Sequence, residues 1–242
     1  MTLQLDPATG TAWQRQIRDR KAAEDPVSHP ADISTAVIRR IDIATAKPVI
    51  LAYEWLGCMP AVVWFAFGMY FGSDLGGVVT YSPEYTENLG VWDKYGYTGK
   101  IITLSRGAEL HWAHPHTASK LIRGSMKMLP ERFEVVTATV DSAAGEVGTI
   151  YQACSFDFVQ MNTNARYGAI IDGKTYTSRS LTRAFGTNSG RLLRQRFGDD
   201  AVQPVEEKAK GRYFAFRGGK IARKHNRRAI ADLIKPYPHR VA

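Results

Sequence analysis

Four residues of this 242-residue chain have the types and the spacing to carry out group transfer. Arg106 closes the β-rich run IITLSRG, Ser119 falls in the first turn of the helix that follows, and Asp141 closes the run FEVVTATVD. Tyr151 comes ten residues after Asp141, on the short helical stretch GTIYQACSF. In open α/β sheets reactive groups gather at the carboxyl ends of strands and the amino ends of the helices that follow, which is where these four belong. An acid, a hydroxyl, a cation and a phenol around one sheet end suit acyl or related group transfer. Asp141 is then the base, Tyr151 the proton donor to the leaving group, and Arg106 with the helix amides near Ser119 the seat for an anion. Glu54 joins the set, because it lies near the end of an apolar helix beside Tyr53 and Trp55, where a carboxylate needs either water or a role. The tract HWAHPH brings His111, His114 and His116 together, but spacing fixes no fourth ligand and no metal is assigned. Cys58 and Cys154 are too few for a disulfide framework, and Cys154, at an apolar helix position, is read as core.

These side chains need elements to hold them. ISTAVIRRIDI alternates as a strand does, and ATAKPVILAYEWLG reads as a helix stopped by Gly57, with Pro48 in its first turn. Leu56 to Gly72 runs 17 residues without a charge, at the lower limit for crossing a bilayer, but it contains Pro60 and three glycines and is flanked by Glu54 and Asp74. It is read as a buried strand, and no membrane span is assigned. AVVWFAFGMYF and LGGVVTYSP then form a hairpin, with Gly76 and Gly77 marking a bulge or a close approach. Tyr85 to Lys100 is an irregular surface loop of a length that usually has a job. A helix opens at His116 and Thr117 and turns Ala118, Leu121, Ile122, Met126 and Leu129 to one side. The order strand, helix, hairpin, strand, helix, strand, helix, strand predicts an α/β fold with a mixed central sheet flanked by helices.

Charge divides the chain unevenly. Residues 162–242 carry 18 basic and six acidic side chains, a net of +12, whereas the other 161 residues carry 14 basic against 17 acidic, a net of −3. Such asymmetry suits a region that tracks a phosphate backbone. Its candidate contacts are Arg179, Arg183, Arg191, Arg194 and Arg196 in SRSLTRAFGTNSGRLLRQRFG, and Lys220, Arg223, Lys224, Arg227 and Arg228 in KIARKHNRR. Tyr213, Phe214 and Phe216, interleaved with cations, suit stacking on bases or an alternating strand. The start of the chain has no secretory pattern, and with two cysteines the expected compartment is a reducing cytoplasm.

Two resemblances add to this. GTIYQACSFDF resembles the last helix and strand of the GNAT acyltransferase superfamily, where a pattern A-x-x-[LI]-Y-x-x-x-G-F follows the fifth strand; Ser155 stands at its final glycine. From Ile33 to Arg240 the blocks AKPVILAYEWLGCMP, LSR, ASKLI, VDSAAGEVGTIYQACSF, IIDGKTYTSRS, AFGTNSGRLL, KGRYFAF and PYPHR resemble, in order, the Mom family of phage DNA modification proteins. That resemblance implies a GNAT-like fold and a transferase that converts adenine in DNA to N6-carbamoylmethyl adenine, shielding the DNA from host restriction enzymes. It implies site roles for Arg106, Ser119, Asp141 and Tyr151; the His-Tyr pair of the family pattern before Leu-Gly is Glu54 and Trp55 here. The partner is double-stranded DNA, and a duplex adenine must be flipped out, at a cost of a few kcal/mol. Trp92, Tyr95 and Tyr97 of the long loop are the residues expected to stack on it. An acyl-CoA enzyme of this fold carries a glycine-rich R-x-x-G-x-G/A turn after its fourth strand, and this chain has RGAELHWAHPHTAS there. The expected donor is therefore an activated co-substrate, with glycyl-tRNA preferred to acyl-CoA and tRNA as a second partner. The expected organisation is a flexible N-terminal arm (1–32), a GNAT-like catalytic core (33–161) and a basic nucleic-acid-binding region packed on it (162–242). Two alternatives remain: a GNAT-like transferase acting on a protein or aminoacyl-tRNA amine, and a DNA-binding protein without catalysis.

Overall fold

The computed structural model describes residues 32–54, 56–86, 90–110, 112–140, 146–159, 166–176, 178–207 and 210–239. The side chains of Arg179 and Arg183, and all of Trp55, His111 and Asp141, lie outside the described residues, as does the arm 1–31.

Local signals set the first elements. Strand β1 (Val37–Ile41) leads into helix α1 (Ile43–Tyr53), whose start is fixed by Asp42: its carboxylate accepts the Thr45 amide at 2.7 Å. Because the helix begins at Ile43, Pro48 lies in its interior rather than in the first turn. Strands β2 (Phe65–Phe71) and β3 (Asp74–Pro83) form the expected hairpin. Met69 pairs with Gly77 and Tyr70 with Leu75, so Gly76 is the extra residue of a bulge, and a Cβ on it would fall 2.5 Å from the Phe71 ring. The charge-free segment thus ends in a strand, and no helix among the described residues is long and apolar enough to cross a membrane.

Strand β4 (Ile101–Glu109), helix α2 (Thr117–Met128), strand β5 (Val135–Val140), helix α3 (Thr149–Ala153) and strand β6 (Asp157–Val159) follow in the predicted order. The main sheet has eight strands in the order β1-β2-β3-β4-β5-β10-β6-β11, where β10 is Gly211–Phe216 and β11 is Ile234–Lys235. All neighbours are antiparallel except β4 and β5. That parallel pair is short. It joins Ile101–Thr103 to Val135–Thr137, after which β4 continues to Glu109 paired only with β3, and β5 to Val140 paired only with β10. The sheet is split at its centre.

The expected boundary at residue 162 does not divide this sheet, because β10 comes from the basic region and fills the place between β5 and β6. Tyr213, Phe214 and Ala215 are buried on its two faces, so Tyr213 and Phe214 are core and not stacking platforms. Between β6 and β10 the chain builds a second, three-stranded sheet, β8-β7-β9, from β7 (Arg166–Ile171), β8 (Lys174–Tyr176) and β9 (Val202–Glu207). Helices α4 (Ser178–Phe185) and α5 (Gly190–Phe197) cover it, closing a small core of Ala169, Ile171, Leu181, Leu193 and Val202. Helix α6 (Lys220–Ala229) follows β10.

The long loop is corrected by burial. Trp92 and Tyr97 have no exposed surface and pack with Ile101, Val135, Phe214 and Ile230, with Tyr95 against them. Trp92 Nε1 donates to Thr86 and the Tyr97 hydroxyl to the Asn226 carbonyl at 2.6 Å. Fully burying rings of this size stabilises by about 1.5–3 kcal/mol each, and a polar tip with a partner is what lets them stay buried. In this fold Trp92 and Tyr97 are not available to stack on a base.

Candidate active site

Arg106 lies on the part of β4 that continues beyond its pairing with β5. In the β3–β4 pairing Thr80 faces Arg106 and Tyr81 faces Leu104, which leaves Ser105 as an extra residue and turns Arg106 to the face covered by α1. There the Arg106 Nε donates to the Cys58 carbonyl at 2.9 Å, Nη1 donates to its neighbour Ser105's carbonyl at 2.6 Å, and Nε lies 3.8 Å from the Glu54 carboxylate. The other oxygen of Glu54 accepts the amides of Leu56 at 2.7 Å and Gly57 at 3.0 Å, so the turn that ends α1 also aims the carboxylate. Both side chains are nearly buried, 14% exposed for Arg106 and 10% for Glu54. A guanidinium fixed at this many points is a preorganised positive charge.

Tyr151 rides on α3. That helix starts at Gly148, with φ +68° and an imagined Cβ 2.4 Å from the Tyr213 ring; only glycine fits the close approach. Its ring lies 5.6 Å from Phe156 and 5.4 Å from Tyr213. Burial pushes the Tyr151 phenol well above its ordinary range, the negative charges of Glu146 and Glu54 push it further, and Arg106 pulls the other way. At neutral pH the group is a held proton, able to donate and not a base. The chain turns after α3 at Ser155, with φ +61°, in the left-handed region that favours glycine, and this is the position where the superfamily pattern has one.

Ser119 is in the first turn of α2, as expected, and its hydroxyl donates to the His116 carbonyl at 3.1 Å. The Cys154 thiol points at the Ser119 carbonyl at 3.5 Å, which ties α3 to the start of α2; burial raises that thiol to about 11, as suits a core cysteine. Asp141 follows Val140, the last residue of β5, and lies outside the described residues. The structure therefore pairs Glu54 with Arg106, lets the charges of both act on the Tyr151 phenol, and sets Ser119 next to α3.

Sequence reading missed Glu109. This last residue of β4 sends its carboxylate to the amide of Ala118 in the first turn of α2, at 3.1 Å, and burial raises its pKa despite that bond. The signal was the single acid in RGAELHWAHPHTAS. It bears on the donor, because acyl-CoA, which the expected fold implies, needs free amides at this helix start for its diphosphate. The residues present do not fit that group: besides Ala118, the Thr117 amide is taken by the His114 carbonyl at 2.8 Å and the His116 amide by the His114 ring at 3.0 Å.

The basic candidates sit elsewhere. On α6, Lys220, Arg223, Lys224, Arg227 and Arg228 are exposed and fall on one stripe, and Arg227 is held by both oxygens of Asp157 at 2.7 and 2.9 Å. On α5, Arg191 is exposed, Arg194 lies 3.8 Å from Asp199, and Arg196 covers the rings of Phe185 and Phe197.

The sequence model of the Mom protein family matches residues 35–239. No curated protein matches the chain significantly. Among solved structures, spermidine N-acetyltransferase from Vibrio cholerae, in complex with CoA and spermine, is similar at a TM-score of 0.42 and 8% identity, over 76% of this chain and 96% of that one. The Drosophila melanogaster polyamine N-acetyltransferase gives 0.40 and 8%, over 75% and 100%, and the IAA acetyltransferase from Bacillus cereus 0.38 and 12%, over 75% and 99%. Likeness at that level says nothing about the reaction.

Proposed function

Because the chain belongs to the Mom protein family, we propose that it is a GNAT-like transferase that modifies adenine in phage DNA to the N6-carbamoylmethyl form and so protects that DNA from host restriction. The observation that supports this most is the nearly buried Arg106–Glu54 pair, in which Arg106 stands on the part of β4 that runs past its pairing with β5 and the charges of both act on the buried Tyr151 phenol. The exocyclic amine of adenine is conjugated into the ring and a poor nucleophile, so it needs a base, an activated donor and a seat for developing negative charge. In this reading Asp141 takes the amine proton, Arg106 seats the negative charge of the attacked carbonyl, and the neutral Tyr151 phenol gives its proton to the leaving group. Glu54 holds the guanidinium in place. With a glycyl donor the immediate product is N6-glycyl adenine, an isomer of the carbamoylmethyl form that reaches it only by a further rearrangement moving N6 from the carbonyl carbon to the methylene carbon.

The test is mass spectrometry of nucleosides from plasmid DNA of cells expressing the chain, beside an Asp141→Asn control. A new adenosine species with the mass excess of a carbamoylmethyl group and the retention and fragmentation of an N6-carbamoylmethyl standard rather than of its N6-glycyl isomer, absent from the control, is the expected result. Unmodified DNA from well-expressed protein would overturn the reading. Glycyl-tRNA and acyl-CoA, supplied separately to purified protein, identify the donor.

Duplex DNA is the proposed partner, tracked by the exposed stripe of α6. Replacing Lys220, Arg223, Lys224 and Arg228 together by Gln is expected to weaken duplex binding and to flatten its salt dependence, by about 0.9 in log–log slope for each phosphate that is no longer neutralised. A slope equal to that of the parent protein would remove this helix from the interface.

A further inference from the structure

We propose that Glu109 is a donor-specificity residue: its carboxylate occupies the anion seat at the start of α2 and excludes any donor that must place a phosphate or diphosphate there. This rests on the reading above only in taking the split between β4 and β5 as the reaction centre.

A helix start attracts anions because its first amides lack partners within the helix and carry the positive end of its dipole. Here two of the three amides that the helix leaves free already have acceptors from the chain itself. Glu109 takes Ala118 at 3.1 Å and the His114 carbonyl takes Thr117 at 2.8 Å, while the His114 ring takes the preceding amide of His116 at 3.0 Å. The Lys120 ammonium, the cation nearest in sequence, is bound to the Ile33 carbonyl. The first turn also sits directly on the sheet: the Thr117 side chain has no exposed surface, and its methyl would lie 3.1 Å from a Cβ on Gly77 in β3. Its hydroxyl is buried and has no hydrogen-bond partner among the described residues. An approaching phosphate would meet a carboxylate at contact distance, and two like charges there repel strongly in a partly dehydrated site. Glu109 is in this sense a built-in substitute for the donor's phosphate. The donor that remains is one that delivers its acyl carbon to the split by its own uncharged end and carries any phosphates outside this turn.

The probes are acetyl-CoA and inorganic pyrophosphate, titrated calorimetrically into the full-length protein and into Glu109→Gln and Glu109→Ala, each checked by its thermal unfolding. Binding does not depend on adenine modification, so failure here is distinct from failure of the proposed reaction. The parent protein is expected to show no saturable binding at millimolar ligand, and Glu109→Gln to bind pyrophosphate at least tenfold more tightly. Parent protein that binds either probe as well as the variants overturns the proposal, and so do folded variants that bind no better than the parent. Should the variants not fold, the amide resonance of Ala118 in the parent decides: it stays in place on adding pyrophosphate if Glu109 holds the seat, and a saturable shift overturns the proposal.

Discussion

Arg106→Ala is expected to lower adenine modification at least a hundredfold while duplex binding stays within about threefold of the parent. The guanidinium is a fixed charge held by the Cys58 and Ser105 carbonyls beside Glu54, and removing one such preorganised donor from an active site costs about 10²–10³ in rate. Arg106→Lys is expected to recover little, because an ammonium is a single point and cannot bridge the Cys58 carbonyl, the Ser105 carbonyl and a reacting oxygen at once. Removing the arginine alone also leaves Glu54 with less compensation, so the informative comparison is the cycle of Arg106→Ala, Glu54→Gln and the double variant. A positioning role predicts that Glu54→Gln loses activity only while Arg106 is present. Nucleoside mass spectrometry under single-turnover conditions reads all four proteins, and an Arg106→Ala protein that keeps a tenth of the activity would end the assignment.

Glu84→Ala carries the largest expected effect on stability, a loss of about 3–5 kcal/mol, the usual result of removing one member of a buried ion pair. Glu84 is 3% exposed, just beyond the end of β3. One of its oxygens accepts Arg212 from β10 at 3.0 Å and the Thr86 hydroxyl at 2.8 Å; the other accepts the hydroxyls of Thr103 and Thr137 at 2.6 Å each. These partners come from β4, β5, β10 and the long loop, so the carboxylate links strands on both sides of the split. Burial alone would raise its pKa, but Arg212 and the three hydroxyls outweigh burial and hold it below the usual carboxylate range. A carboxylate with a depressed folded pKa stabilises above its unfolded value, about 4.3, and that contribution disappears as pH falls through the lower folded value. Chemical denaturation from pH 7 to pH 3 should therefore show the gap between the parent and Glu84→Gln closing below about pH 4. A gap that stays constant would mean that the carboxylate is not charged in the folded protein.

What could be read from residues alone was whatever depends on neighbours in sequence. Hydrophobic periodicity and caps are local, so the order of elements from β1 to β6, the cap at Asp42, the bulge at Gly76 and the helix from Thr117 follow from the residues themselves. The same locality puts Ser119 and Tyr151 near helix starts, as their sequence predicts, whereas Arg106, expected to close its strand, lies inside β4 beside the bulge at Ser105, because the strand pairs on with β3 as far as Glu109.

What tertiary structure alone decided depends on which strands become neighbours. β10 lies some seventy residues beyond β5 in sequence, and its insertion there makes Tyr213 and Phe214 core residues and moves part of the basic region into the central sheet. Trp92 and Tyr97 have the composition of a stacking surface, and only the arrival of Phe214 and Ile230 turns them inward. Glu84 and Arg212 are 128 residues apart, and no spacing rule joins them. Glu109 is the nearest miss, nine residues from Ala118 across a turn without regular structure, where the direction of the carboxylate depends on the bulge at Ser105 and on how α2 settles on β3. Periodicity records which face a residue prefers, whereas the partner it meets is set by long-range strand pairing, which no local pattern encodes.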